Sequence, residues 1–137
     1  MLAASSSLWA VECAEVVWTP HVLERYSNVY NVCQRVIEHD GKHYVEVKAK
    51  LLSLHNHQAR LNFKLADGSY DKTFETKALP ADFKVIIDGK QVLLSKVELN
   101  TDLTVYVPSD RFALVSELAK ITTVYEFESE VVPVKNN

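Results

Sequence analysis

The stretch Asp40-Gly-Lys-His-Tyr44-Val-Glu-Val-Lys-Ala-Lys-Leu51 decides the fold. It opens on an Asp-Gly pair and then alternates, with Val45, Val47, Ala49 and Leu51 on one side and Glu46, Lys48 and Lys50 on the other. Successive side chains of a strand point to opposite faces, so this pattern is a strand with one face buried. The chain has three glycines, and each follows an aspartate: Asp40-Gly41, Asp67-Gly68 and Asp88-Gly89. An Asp-Gly pair supplies the two positive-φ positions of a type I′ turn, whose twist matches the strands it joins. Three such hairpins predict an antiparallel meander. They also use up every glycine, leaving none for a phosphate-cradling loop.

The pattern extends in both directions. Val32 to Glu38 leads into the first turn, and after a polar break at His55-Asn56-His57 the run Ala59 to Leu65 alternates again, with Leu61, Phe63 and Leu65 inward. Further strands are expected at Tyr70 to Thr76, Phe83 to Ile87, Gln91 to Leu94, Asp102 to Val107 and Thr122 to Glu130, with Pro80 and Pro108 as punctuation. Two helices are expected. Thr19-Pro20 starts the first, where Val22, Tyr26, Val29 and Cys33 form a one-sided stripe before the chain turns extended near residues 28–31. Ser109 caps the second, over residues 110–119, with Phe112, Val115 and Leu118 on one face. The expected class is mainly β: a single small antiparallel barrel or curled meander with an N-terminal and a C-terminal helix.

A chain of 137 residues, 47% of them apolar, fits one domain with a core that needs neither metal nor disulfide. The domain is expected over residues 19–134, ahead of a loose tail. Residues 1–18 are set apart as a leader or flexible N-terminal segment. Met1-Leu-Ala-Ala-Ser-Ser-Ser-Leu-Trp-Ala10 reads either as the apolar part of a signal peptide or as a loose leader. No Lys or Arg precedes Arg25, and Glu12 before Cys13 spoils a lipoprotein-type box. Periplasmic or secreted localisation is expected, with a cytoplasmic one as the alternative. No apolar run reaches the roughly 20 residues of a membrane helix. Cys13 and Cys33 suit one disulfide in an oxidising compartment or two thiols in a reducing one, and no C-x-x-C pair suggests zinc.

The residues Leu65 to Tyr70, then Ala81-Asp-Phe-Lys-Val-Ile-Ile-Asp-Gly-Lys-Gln-Val92, then Val97-Glu-Leu-Asn-Thr-Asp-Leu-Thr-Val-Tyr-Val107 carry a resemblance. They are similar to small SH3-like or OB-like β-barrel modules of exported bacterial proteins, many of unknown function. The family's turn glycine before the last strand is replaced here by Asn100-Thr101, and asparagine tolerates the left-handed conformation. The resemblance implies a barrel, transfers no catalytic residue and leaves the function open.

Two constellations suggest chemistry. Lys48 and Lys50 on one strand and Arg60 and Lys64 on its neighbour make a basic face, with Tyr44 as an aromatic platform of the kind that binds single-stranded nucleic acid. A solvated sheet face is the competing reading, supported by Glu46 and by the net charge of -3. His39 and His43 flank one turn and His55 and His57 another, a candidate zinc or copper set if those turns converge. Trp18 is a candidate partner anchor or else a core residue. No Gly-x-Ser-x-Gly elbow, paired catalytic carboxylate or cofactor motif is present. The expected function is a non-catalytic binding or assembly module that recognises a protein partner through a sheet face or edge. A nucleic-acid-binding protein and a metal-binding protein are the alternatives.

Overall fold

The computed structural model describes residues 10–116 and 123–132 of the chain. It is an antiparallel β protein organised around the strand read first above. That strand, β3 (Lys42–His55), buries Val45, Val47, Ala49 and Leu51 as the alternation requires. One of its edges takes β8 (Asp102–Pro108), from Tyr44↔Pro108 to Lys50↔Asp102. Its other edge is shared: β2 (Cys33–His39) lies along residues 42–47, and β4 (Gln58–Lys64) along residues 49–55. The remaining strands are β1 (Ala10–Val11), β5 (Tyr70–Thr76), β6 (Lys84–Ile87), β7 (Lys90–Leu93), β9 (Ala113–Leu114) and β10 (Tyr125–Val131). The sheet runs β7-β6-β8-β3-β4-β5-β10-β9, with β1 and β2 branching from β3. Among the described residues it is not closed by a continuous ladder. Beyond the named strands, one isolated bridge, Tyr106↔Val115, links β8 to the residue after β9.

The turns follow their chemistry. Asp40-Gly41 and Asp88-Gly89 hold positive φ at both positions, 52° and 78° in each pair, and close type I′ hairpins. Asp67-Gly68 does not, since only Gly68 is left-handed. There the Gly68 N–H donates to the Leu65 carbonyl, the Leu65 N–H donates to the Ser69 carbonyl, and the Asp67 carboxylate accepts from Ser69. This is a three-residue loop ending in a glycine bulge. A fourth tight turn joins β3 to β4 with no glycine, Asn56 and His57 both standing at positive φ. Asn100 (φ 69°) occupies a bulge opposite Leu51, donating to the Leu51 carbonyl while Leu51 donates to that of Thr101. Asparagine thus fills a left-handed place that glycine would otherwise take.

The two helices depart from expectation. The first, α1 (Pro20–Arg25), begins at Thr19-Pro20 but has only six residues, and a 3-10 turn at Ser27–Asn31 carries Val29 into the core. The second is absent over residues 109–116. Phe112, Ala113, Leu114 and Val115 are all buried, and four consecutive buried residues suit an extended segment packed on both sides better than a helix with one apolar face. Residues 117–119 of that expected helix lie outside the described residues.

One apolar interior joins the elements. Tyr26, Phe63, Phe74, Phe112 and Phe127 come from α1's end, β4, β5, the segment before β9 and β10, and their rings pack with centroids 4.5 to 6.0 Å apart. Such contacts add about 0.5–1.5 kcal/mol per pair beyond area burial. Part of the expected leader belongs to this fold. Ala10 and Val11 pair with Ile37 and Val36, Cys13 is disulfide-bonded to Cys33, and Val16 and Trp18 are buried while Val17 between them is 79% exposed. Trp18, 3% exposed and edge-on to Tyr30, is a core residue and not a surface anchor.

Two stability outcomes follow from these features. Replacing His57 by Gly relieves a left-handed histidine while its backbone carbonyl keeps the Leu79 N–H; urea unfolding is expected to show a gain of about 0.5–1 kcal/mol. Replacing Cys13 and Cys33 together by Ser opens a covalent loop of 20 residues' separation. Denaturation followed by tryptophan fluorescence is expected to show a loss of about 3 kcal/mol.

Candidate functional site

The face of the sheet opposite the aromatic interior collects the polar residues of β3, β4 and β8. Register decides who meets whom. Glu46 stands across from Tyr106 and ion-pairs with Arg35 of β2 at 2.9 Å. Lys48 stands across from Thr104, which pairs in turn with Ile86. Lys50 lies between Asp102 and Asn62, and Lys64 lies across from Tyr70. Side chains then close a network over these positions. Tyr70 Oη donates to Asp102 Oδ1 at 2.6 Å, Lys64 Nζ donates to Asp102 Oδ2 at 3.2 Å, and Lys50 Nζ lies 4.5 Å from the Tyr70 ring centre. Lys64 Nζ is also within cation–π range of that ring, at 5.6 Å.

Beside the network is a cleft of about 260 Å³ lined by Lys48, Ile86, Ile87, Asp88, Gly89, Asp102, Leu103 and Thr104. Its lining comes from the β6–β7 hairpin and from β3 and β8, around the one position at which β6 pairs with β8, Ile86↔Thr104. The Asp88-Gly89 turn forms the rim. A smaller, mostly apolar recess of about 110 Å³ lies elsewhere, between Leu54, His57, Leu79, Pro80, Ala81, Leu94 and Ser95.

Burial works against the charge on Asp102, but the bonds from Tyr70 and Lys64 prevail and hold its carboxyl below the usual aspartate range. Tyr70 moves the other way, raised chiefly by its bond to Asp102. A second acid, Asp71, is likewise opposed by burial and kept low by bonds from Tyr26 and Asn28. Tyr26 is pushed up by burial and by that carboxylate. This pair satisfies the hydroxyl of a ring sunk in the core, a structural task.

The expected basic face is therefore present in part. Lys48, Lys50, Arg60 and Lys64 all point outward, but Lys64 is tied to Asp102 and Arg60 pairs with Glu75 at 3.5 Å. Tyr44 is 5% exposed, its ring 6.5 Å from that of His39, so it is not an exposed platform. Tyr70, 37% exposed, takes that place. Tyr70 and Asp102 escaped the sequence reading. The hairpin at Asp67-Gly68 was the available signal for Tyr70, since it sets Tyr70 opposite Lys64. Nothing local marks Asp102, whose partners arrive from strands far away in the chain.

The histidines do not converge. His39 and His43 sit at the start of β3 and His55 and His57 at its other end, on the order of 40 Å away along a strand rising about 3.3 Å per residue. Among the described residues no group of three or more His, Cys, Asp or Glu is placed to hold a metal ion. None of their helices is long and apolar enough to cross a membrane. No protein-family model, curated protein or solved structure matches the chain.

The Asp102 network has a titration signature. A carboxyl whose folded pKa is depressed contributes stability that is present above its unfolded value of about 3.9 and lost as the pH falls through the folded value. Tyr70→Phe removes one of the two bonds that keep Asp102 charged, so its midpoint, followed by carboxyl carbon NMR, is expected to rise toward the ordinary aspartate value, and the acid limb of the stability curve to become shallower.

Proposed function

We propose that this protein is a non-catalytic recognition module that docks a protein partner on the outer face of β3 and β8, at the Lys48–Lys50–Tyr70–Asp102 array and the cleft beside it. The array carries the reading, because it gathers cations, an exposed aromatic and a carboxylate from three strands onto one surface next to a recess. Within the array the hydrogen bond between Tyr70 and Asp102 holds the carboxyl low and the phenol high, so the two groups fix each other's position and charge. Lys64, already matched by Asp102, and Arg60, matched by Glu75, leave less field for a polyanion, which favours a protein over a nucleic acid.

The Cys13–Cys33 bond supports an oxidising compartment, periplasmic or secreted. The bridge at Tyr106↔Val115 supports reading the curled sheet as a barrel-like module with a seam between β8 and β9. The short edge strand β7 starts on Lys90, a feature that discourages unplanned strand addition, so the face and not the edge is assigned the docking role.

A photo-crosslinking side chain placed at Lys48 or at Thr104 in the producing cells is expected to give a discrete partner adduct. The same group at exposed Glu38, away from the array, is expected to give none. Equal labelling at all three positions, or none at either array position, overturns the assignment.

A further inference from the structure

The cleft has an internal asymmetry of charge. One wall is the β6–β7 hairpin, ending in Ile87-Asp88-Gly89, and the other is Lys48 of β3 with Asp102, Leu103 and Thr104 of β8. Asp102 is already engaged by Tyr70 and Lys64, and Lys50 lies over the Tyr70 ring. Lys48 and Asp88 differ. Among the described residues neither takes part in an ion pair, with each other or with anything else, although both line the same small recess. Ile86 and Ile87, both half-buried, supply apolar lining there.

An unmatched cation on one wall, an unmatched anion on the other and apolar side chains in the recess complement a molecule built in the opposite sense. We infer that the cleft binds a small peptide-like zwitterion, its ammonium group toward Asp88, its carboxylate toward Lys48 and its apolar side chains against Ile86 and Ile87. At about 260 Å³ the recess is just below the range of drug-sized pockets and suits a ligand the size of a dipeptide. Thr104 adds a hydroxyl that can donate or accept. The polar groups fix orientation: a ligand entering reversed would set like charges together at both ends, which is how such a site discriminates. The inference rests on the recognition face proposed above and names the chemistry of what that face accepts, a very short polypeptide fragment with both ends free.

The probe is leucyl-leucine, titrated to about 10 mM into the 15N-labelled full chain, a range that detects the millimolar affinities expected of two solvated charge contacts. Amide shifts are expected at Ile86 to Gly89 and Asp102 to Thr104. Asp88→Asn keeps the turn, because asparagine accepts the positive φ of 52° found there, and Lys48→Gln changes an exposed side chain on a paired strand. Each is expected to weaken the free dipeptide by about 5- to 10-fold. The N-acetyl dipeptide is expected to be indifferent to Asp88→Asn and the C-terminal amide to Lys48→Gln, the thermodynamic cycle that ties each ligand end to one residue. Absence of shifts at those amides, or equal binding of the free and the doubly blocked dipeptide, overturns the inference. If the dipeptide fails while crosslinking at Lys48 and Thr104 persists, the ligand chemistry is wrong and the recognition face stands. If crosslinking fails as well, both fall together.

Discussion

The packing of Tyr26, Phe63, Phe74, Phe112 and Phe127 is the constraint on which the remaining structure depends. These rings come from five separate parts of the chain and occupy one volume. Aromatic pairs favour tilted and edge-on geometries, so each ring limits the angle of its neighbours and, through them, of the strands that carry them. The short helix is held by the same rule. With only six residues α1 is far below the length at which a helix is stable alone, and it persists because Val22 and Tyr26 at its end are buried against the sheet. The tyrosine brings a hydroxyl into this interior, which is why Asp71 and Asn28 stand at its rim.

From this interior the outer face follows. A strand whose odd residues from Val45 to Leu51 are buried must show its even residues, so Glu46, Lys48 and Lys50 share one surface. The neighbours in register then determine the electrostatics. Asp102 arrives opposite Lys50, and Tyr70 opposite Lys64, turning a row of cations into a network with a carboxylate at its centre. The cleft lies beside the point where β6 joins β8.

Much of the strand architecture was legible because it is written locally. Alternation from Tyr44 to Leu51 and from Ala59 to Leu65 names the buried face, and Asp40-Gly41 and Asp88-Gly89 name the turns. The failures have a common physical cause, which is that local pattern does not report what a segment meets. Phe112, Val115 and Leu118 fit a helical face, yet the run from Phe112 to Val115 is covered from both sides and so is extended. Tyr44 carries the alternation of an exposed residue but is buried near His39. The Asn56-His57 turn lacks the usual glycine, and its left-handed pair shows only in the coordinates. At the site, the lysines could be named from β3 and β4 alone. Asp102 could not, because its place beside Lys50 is set by a pairing across 52 positions of sequence, between 50 and 102.

The order in which the five rings appear along the chain bears on how the protein comes to be folded. Tyr26, Phe63 and Phe74 are made early, while Phe112 and Phe127 belong to the last quarter of the sequence, and β8 must return beside β3 from equally far away. A chain emerging in the direction of synthesis therefore lacks one whole edge of the central strand until residues 102–108 have been made, and two of the five members of its interior until Phe112 and Phe127 follow. Contacts so distant in sequence are slow to form, and they leave the growing polypeptide open and threadable for longer than a fold built from neighbours would.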